Sequence, residues 1–138
     1  MSVAMDSVTA FAPATVSNVA CGFDVLGFAL HEPGDEVTAR LAPAGVTIDG
    51  ITGDGGRLPR DAAKNTAGVA AQALLTLLSE RRGVALTIRK GLPLSSGLGG
   101  SAASAVAAVV AVDGLFNARM PLETLMACAF EGERIGAG

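Results

Sequence analysis

Hydrophobic and polar residues alternate along several short segments of this chain, and a two-residue period is typical of strands with one buried face. Alternating or continuously apolar segments predict strands over residues 8–13, 25–30, 36–41, 46–51 and 84–88. The first of these strands is predicted to end at Pro13. Polar residues with Gly or Pro predict a loop over residues 17–24 and a turn over residues 31–35.

Apolar residues recur every three or four positions elsewhere, which is the period of an amphipathic helix. The first predicted helix covers residues 65–81 and is ended by Gly83, and a second, rich in Ala and Val, ends near Leu115. Pro121 starts a third, because proline tolerates the first helical turn. The apolar stripe predicted for this third helix comprises Leu122, Leu125, Met126, Ala129 and Phe130. Strands come first and helices later, which predicts an α+β domain.

Composition narrows the possible partners and the cellular setting. The 138 residues suffice for one domain, half of them are hydrophobic, and the formal net charge of −3 argues against a nucleic-acid partner. Cys21 and Cys128 form neither a metal-ligand spacing nor a dense disulfide framework, so a reduced, cytoplasmic setting is expected. The longest apolar stretch is too short to span a bilayer and no signal peptide is evident, so no membrane partner is expected.

A glycine-rich segment, residues 91–101, joins the last predicted strand to the second helix, and it contains four Gly and three Ser. Glycines let backbone N–H groups converge, and a following helix presents its positive end at the same point, so the segment predicts a phosphate site. The alternative is a connecting loop whose glycines only make turns. A Walker loop is excluded because Ser101-Ala102 follows Gly100 where Lys-Ser or Lys-Thr is needed. A Rossmann loop matches weakly, because no second parallel strand follows the helix.

This segment resembles the second motif of the GHMP kinase superfamily, which contains galactose, homoserine, mevalonate and phosphomevalonate kinases. The resemblance rests on Pro93, Gly97-Leu98-Gly99 and Ser101-Ala102-Ala103, and it departs from the family at Gly100, where a first serine is usual. The resemblance implies that the segment binds the phosphates of ATP. The implied ATP-binding residues are Pro93, Leu94, Ser95, Ser96, Gly97, Leu98, Gly99, Gly100, Ser101 and Ala102.

Residues 12–30 resemble the first motif in the form found in homoserine kinases, with Asn18, Gly22-Phe23-Asp24 and Leu26-Gly27 in place. The usual Gly-Pro before Gly22 is replaced by Ala20-Cys21. The resemblance implies phosphorylation of L-homoserine with MgATP, a step of threonine biosynthesis, with Asn18 and Asp24 binding homoserine. Asp24 could hold the substrate ammonium through a charge-assisted hydrogen bond. The alternatives are an Asx turn at Asn18 and a solvated charge at Asp24.

Two acidic residues of the third helix are candidate ligands of Mg²⁺. Glu133 continues the apolar stripe and is expected to point inward, where a carboxylate needs a partner, whereas Glu131 falls nearer the polar face. The resemblance also implies Glu133 as the metal ligand, with Ser101 beside the metal and the phosphates. The alternative is a frayed helix end that exposes Glu133. Asn65 resembles the family's adenine-proximal asparagine, but a helix cap is an equal alternative.

The resemblance implies that residues 1–138 form a GHMP kinase N-terminal, ATP-binding domain with a ribosomal-protein-like fold and a left-handed β-α-β unit. The family's Gly-Ser-x-His-x-Asp-Asn motif and its C-terminal domain are absent from the sequence, so we expect a truncated chain that is inactive alone. Whether the full-length protein is a homodimer stays open. Two alternatives also stay open, namely another small-molecule kinase of the superfamily and a non-catalytic nucleotide- or RNA-binding domain.

Overall fold

A sheet and three long helices make up the part of the chain that the computed structural model describes, which is residues 6–17, 27–91 and 100–136. Within it, the side chains of residues 14–17, 27–33, 100–101 and 136 are left out of the description. The elements in chain order are β1 Ser7–Ser17, β2 Gly27–Ala42, β3 Val46–Thr52, a 3₁₀ turn Ala62–Lys64, α1 Thr66–Leu77, β4 Gly83–Arg89, α2 Gly100–Phe116 and α3 Leu122–Gly136.

The strands form one mixed sheet in the order β1-β2-β4-β3. β2 pairs antiparallel with both β1 and β4, whereas β3 pairs parallel with β4. Because parallel neighbours need a crossover, α1 connects β3 to β4 and completes a β-α-β unit. The α+β class expected from the sequence is thereby confirmed. Among the described residues, no helix combines the length and the apolar character needed to cross a membrane.

One face of the sheet carries the core. Ala10, Val37 and Ile88 lie opposite one another on three neighbouring strands, and all three are buried. Helix α2 packs over this face and contributes small residues, so that the helix can approach the strands closely. Its buried apolar residues are Ala103, Ala105, Ala107, Ala108, Val109, Ala111, Val112 and Leu115. The strand face turned away from the helices is more exposed, as Phe11 shows with 48% of its surface accessible.

The turn predicted over residues 31–35 is wrong, because β2 runs without interruption from Gly27 to Ala42. Gly34 lies opposite Pro13 of β1, and a Cβ at Gly34 would meet the ring of Phe11 and the backbone of Ala12. Gly34 is therefore required by the close approach of β1. Strand β1 also continues beyond Pro13, because it lies at the edge of the sheet and its register shifts between Pro13 and Thr15.

Helix α1 ends earlier than the predicted Arg81. Leu78 is its C-cap, and Ser79 follows in the left-handed conformation with φ 54°. Gly83, predicted as the helix stop, is instead the first residue of β4, where a Cβ would meet the backbone of Ala44 and Gly45. Close strand packing, and not helix termination, therefore requires this glycine.

The stripe predicted for α3 is only partly correct. Leu125 and Ala129 are partly or fully buried, whereas Leu122, Met126 and Phe130 are exposed by 71%, 52% and 65%. The buried face of α3 is formed mainly by small residues, Cys128, Ala129 and Gly132. Burial raises the pKa of the Cys128 thiol, and the negative charge of Glu131 adds to this effect.

Gly132 explains why small residues face inward. A Cβ at Gly132 would meet the carbonyl oxygen of Thr66 and, at 3.1 Å, the Cβ of Ala70, both on α1. Absence of a side chain at this position thus lets α3 lie directly against the first turns of α1. The contact sets the rotation of α3 about its own axis.

We expect Gly132→Ala to destabilise the protein despite the higher helix propensity of Ala. The clash should outweigh the propensity gain and lower the free energy of unfolding by about 1–2 kcal/mol. Thermal denaturation of the complete gene product that contains this chain should show a Tm lower by about 3 °C. Gly50→Ala is the control, since a Cβ there meets nothing within 4 Å. Equal Tm values for the two variants would contradict the close α1–α3 contact.

Candidate active site

Helix α2 begins at Gly100, so Gly100 and Ser101 lie in its first turn and Ala102 follows, half-buried. The first N–H groups of a helix have no partner within it, and the helix dipole favours negative charge there. This end of α2 is therefore suited to an anion such as phosphate. Several predicted site residues fall outside the described residues, namely Asn18, Asp24, Pro93, Leu94, Ser95, Ser96, Gly97, Leu98 and Gly99.

Glu133 of α3 directs one carboxylate oxygen into the protein. Its Oε1 is buried and has no hydrogen-bond partner among the described residues. The side chain lines a cavity of about 220 Å³ between α2 and α3, and the other described residues that line it are all apolar. These residues are Ala102, Val106, Met126, Ala129 and Phe130. A buried carboxylate oxygen without a partner is costly, and a cation bound in this cavity would remove that cost.

The cavity brings Glu133 together with the start of α2, because Ala102 is the neighbour of Ser101 in the chain. The described residues contain no cluster of three or more His, Cys, Asp or Glu side chains that could hold a metal alone. Mg²⁺ does not need such a cluster, since it is often bound by one or two carboxylates together with substrate phosphates and waters. The donor set at Glu133 therefore fits Mg²⁺ in the company of a nucleotide.

Glu131 differs from Glu133 in its surroundings. It is exposed and forms an ion pair with Arg134 one turn later, at 3.2 Å. A solvated, paired carboxylate of this kind has no need of a metal. The orientations expected for the two glutamates, Glu133 inward and Glu131 outward, agree with the structure, and the frayed helix end is not seen because α3 extends to Gly136. The metal role of Glu133 stays a prediction.

Asn65 is the N-cap of α1, and both its side-chain oxygen and its side-chain nitrogen form hydrogen bonds within the protein. Its Oδ1 accepts hydrogen bonds from the N–H groups of Ala67 at 2.9 Å and Gly68 at 3.4 Å, and its Nδ2 donates to the Pro59 carbonyl at 3.0 Å. The capping alternative is thus confirmed. Contact with adenine stays a prediction, and only 4% of the residue is exposed.

Sequence reasoning missed a buried polar cluster formed by Asp35, Lys90 and Ser104 beside the start of α2. A signal for it exists in the strand periodicity. Lys90 continues the buried alternate positions Val84, Leu86 and Ile88, and Asp35 continues Val37 and Ala39 toward the same end of the sheet. Two opposite charges, each at a core position of one of two neighbouring strands, predict an ion pair inside the protein.

We expect Asn65→Ala to lower the free energy of unfolding by about 1–2 kcal/mol, because the cap and the bond to Pro59 are both lost. Asn65→Ser is the matched control, since a serine hydroxyl can still cap the helix. Chemical denaturation of the complete gene product should show that Ser recovers more than half of the lost stability. Equal stability of the Ala variant and the unchanged protein would refute the capping role.

Comparison with known proteins bears on the identity of this site. The chain is 48% identical to the homoserine kinase of Chloroherpeton thalassium, over 97% of the chain and 46% of that protein, and 47% identical to that of Xanthomonas campestris, over 94% and 40%. The chain thus spans less than half the length of these curated relatives. The crystal structure of homoserine kinase from Cytophaga hutchinsonii superposes with a TM-score of 0.94 at 49% identity, covering 100% of this chain and 44% of that one.

More distant structures and a family model delimit the fold. L. major mevalonate kinase superposes with a TM-score of 0.71 at 21% identity, over 98% of this chain and 45% of that one, which supports the fold alone. The family model described as the GHMP kinases N terminal domain matches residues 64–138, which include α1, β4, α2 and α3. The chain therefore belongs to the GHMP kinase family, of which it carries the N-terminal domain.

Proposed function

We propose that the protein containing this chain transfers the γ-phosphate of ATP to the side-chain hydroxyl of L-homoserine, giving O-phospho-L-homoserine and ADP. The observation that carries this proposal is the buried oxygen of Glu133, which has no hydrogen-bond partner among the described residues and lies in a cavity shared with the start of α2. The identity of 48% to homoserine kinases supports the choice of substrate. A cytoplasmic location is proposed with it, as befits an ATP-dependent step of threonine biosynthesis.

The phosphates of ATP are proposed to bind at the first turn of α2 and the glycine-rich segment before it. The N–H groups of Gly100 and Ser101, which have no acceptor within the helix, would together with the helix dipole stabilise the negative charge that spreads over the transferred group. Phosphoryl transfer asks little covalent chemistry of a protein. Positioning of the nucleotide and neutralisation of its charge would therefore supply most of the rate enhancement.

Glu133 is proposed to hold Mg²⁺ against the phosphates, with the Ser101 hydroxyl as a second ligand. The ion would neutralise charge on the β- and γ-phosphate oxygens during transfer. The protein would also benefit, because the buried carboxylate oxygen, which has no partner in the described part of the chain, would gain one. The exposed Glu131 is not part of this proposal, since Arg134 already pairs with it.

Homoserine is proposed to bind through Asn18 and Asp24. The support is the first motif, whose Asn18 and Gly22-Phe23-Asp24 pattern is found in homoserine kinases. The carboxylate of Asp24 would bind the substrate ammonium, and the amide of Asn18 can both donate and accept hydrogen bonds. A substrate with a charged amino group would thereby be distinguished from an uncharged sugar or alcohol.

We expect the complete gene product that contains this chain to phosphorylate L-homoserine in an ADP-release assay, and to prefer it at least a hundredfold, in kcat/KM, over galactose and mevalonate. In the same protein, Asp24→Ala should raise the KM for homoserine at least tenfold, about 1.4 kcal/mol of binding, because the ammonium loses its counter-charge. The KM for ATP should change less than twofold. Equal activity on mevalonate or galactose would transfer the proposal to another kinase of the family.

We expect Glu133→Gln to abolish most of the activity of the complete gene product, with kcat reduced at least a hundredfold, because a neutral amide binds Mg²⁺ poorly. Glu131→Gln is the matched control on the same helix and should keep at least half of the activity. Titration of the nucleotide complex with Mn²⁺, followed by electron paramagnetic resonance, should show weaker metal binding only in Glu133→Gln. An inactive Glu131→Gln beside an active Glu133→Gln would reverse the assignment.

A further inference from the structure

Asp35, Lys90 and Ser104 form a buried polar cluster. None of the three residues belongs to the ATP-binding or homoserine-binding motifs described above. Lys90 Nζ lies 2.5 Å from Asp35 Oδ2 and 3.0 Å from Ser104 Oγ, and the Ser104 hydroxyl lies 2.9 Å from the same carboxylate oxygen. The side chains of Asp35 and Lys90 are exposed by only 0% and 2%. Each of the three groups therefore contacts the other two inside the protein, away from solvent.

The cluster connects three separate elements at one point. Asp35 belongs to β2, Lys90 directly follows β4, and Ser104 lies on the second turn of α2. The second oxygen of Asp35 accepts a hydrogen bond from the N–H of Gly91 at 2.9 Å. The carboxylate of Asp35 thus contacts Lys90 and Gly91 before residues 92–99 and Ser104 after them. Residues 92–99 themselves lie outside the described part of the chain.

Backbone packing leaves little freedom around this cluster. A Cβ at Gly91 would collide with the carbonyl of Gly34, and one at Gly53 would collide with the carbonyl of Lys90. Gly53 also has a φ of 82°, which favours glycine. The N–H of Lys90 donates to the Thr52 carbonyl at 2.8 Å and so continues the pairing of β4 with β3. The end of β4 is held on two sides by neighbouring backbone.

Stability alone does not explain a buried ion pair at this position. Burial removes both charges from water, so that well-packed apolar residues are often as stabilising as the pair. Apolar residues would also fit the pattern, because Val37 and Ile88 occupy the core positions next to Asp35 and Lys90. The ion pair and the hydroxyl add geometric precision, because hydrogen bonds form only over a narrow range of distances and angles. They therefore fix how far apart the three elements lie.

We propose that Asp35, Lys90 and Ser104 are positioning residues that hold the start of α2 at a fixed place relative to the end of β4. The inference rests on the proposed function, because the phosphates of ATP are assigned to that same end of α2. Phosphate-binding N–H groups that are already in place need no rearrangement when the nucleotide binds. Loss of the cluster should therefore weaken the binding of ATP. The binding of homoserine, which is assigned to another segment, should be almost unaffected.

The test replaces both charges at once, so that no buried charge is left alone. In the complete gene product, Asp35→Val with Lys90→Met should leave the Tm within a few degrees of the unchanged protein. The KM for ATP should rise at least tenfold and the KM for homoserine less than twofold. Val109→Ala is the control, because it removes buried volume from the same helix without touching the cluster. This control should lower the Tm and leave the KM for ATP unchanged.

If the double variant does not fold, Ser104→Ala provides the decisive measurement, because it preserves the ion pair and removes the link to α2. The KM for ATP should then rise at least threefold at an unchanged KM for homoserine. A folded variant whose KM for ATP stays within twofold of the unchanged protein overturns the positioning role and leaves the proposed function intact. An unchanged protein that neither binds ATP nor phosphorylates homoserine overturns both.

Discussion

The close approach of small-residue helix faces is the constraint on which this structure depends. Helix α2 presents alanines to the sheet, and α3 presents Cys128, Ala129 and Gly132 to its neighbours. Short side chains bring backbones near one another, so the positions of helix ends are set by contact distances and not by the flexibility of long side chains. A chain without Trp or Tyr gains a well-defined core in this way. The same contacts bring Glu133 to the first turns of α2.

The core changes character toward one end of the sheet, and the candidate active site lies there. Apolar positions on β2 and β4 give way to Asp35 and Lys90, which remain buried but bond to each other and to α2. On the far side of α2, the carboxylate of Glu133 lies in a cavity with otherwise apolar described lining, and one of its oxygens has no partner within residues 6–17, 27–91 and 100–136. One buried carboxylate is thus fully engaged in structure, whereas the other retains the capacity to bind a ligand. In our proposal, this difference separates Asp35, which positions the site, from Glu133, which acts in it.

Sequence periodicity predicted the elements well where local pattern and tertiary packing agree. The start of α1 and the strands β3 and β4 follow from periodicity alone, and the motifs identified the family. The predicted turn over residues 31–35 failed because β1 pairs with β2 on both sides of it, through Ala29 and Gly34, and a shift in register takes up the residues between them. The cluster of Asp35, Lys90 and Ser104 was missed for a related reason, since its members lie 55 and 14 residues apart along the sequence. In α3, Met126 and Phe130 have the correct period for burial, but the contact of Gly132 with α1 rotates the helix and leaves them exposed.

The position of Gly132 directly before Glu133 has a consequence for any mutational survey of this protein. A side chain at residue 132 must push α3 away from α1, and the adjacent carboxylate moves with the helix backbone. Variants at this position would consequently score poorly both in a selection for cellular abundance and in a selection for growth that depends on catalysis. If Glu133 has the metal role proposed for it, substitutions of Glu133 itself would retain abundance and lose growth. Two neighbouring residues would thus occupy different quadrants of an abundance–activity plot, although a single helix turn contains them both.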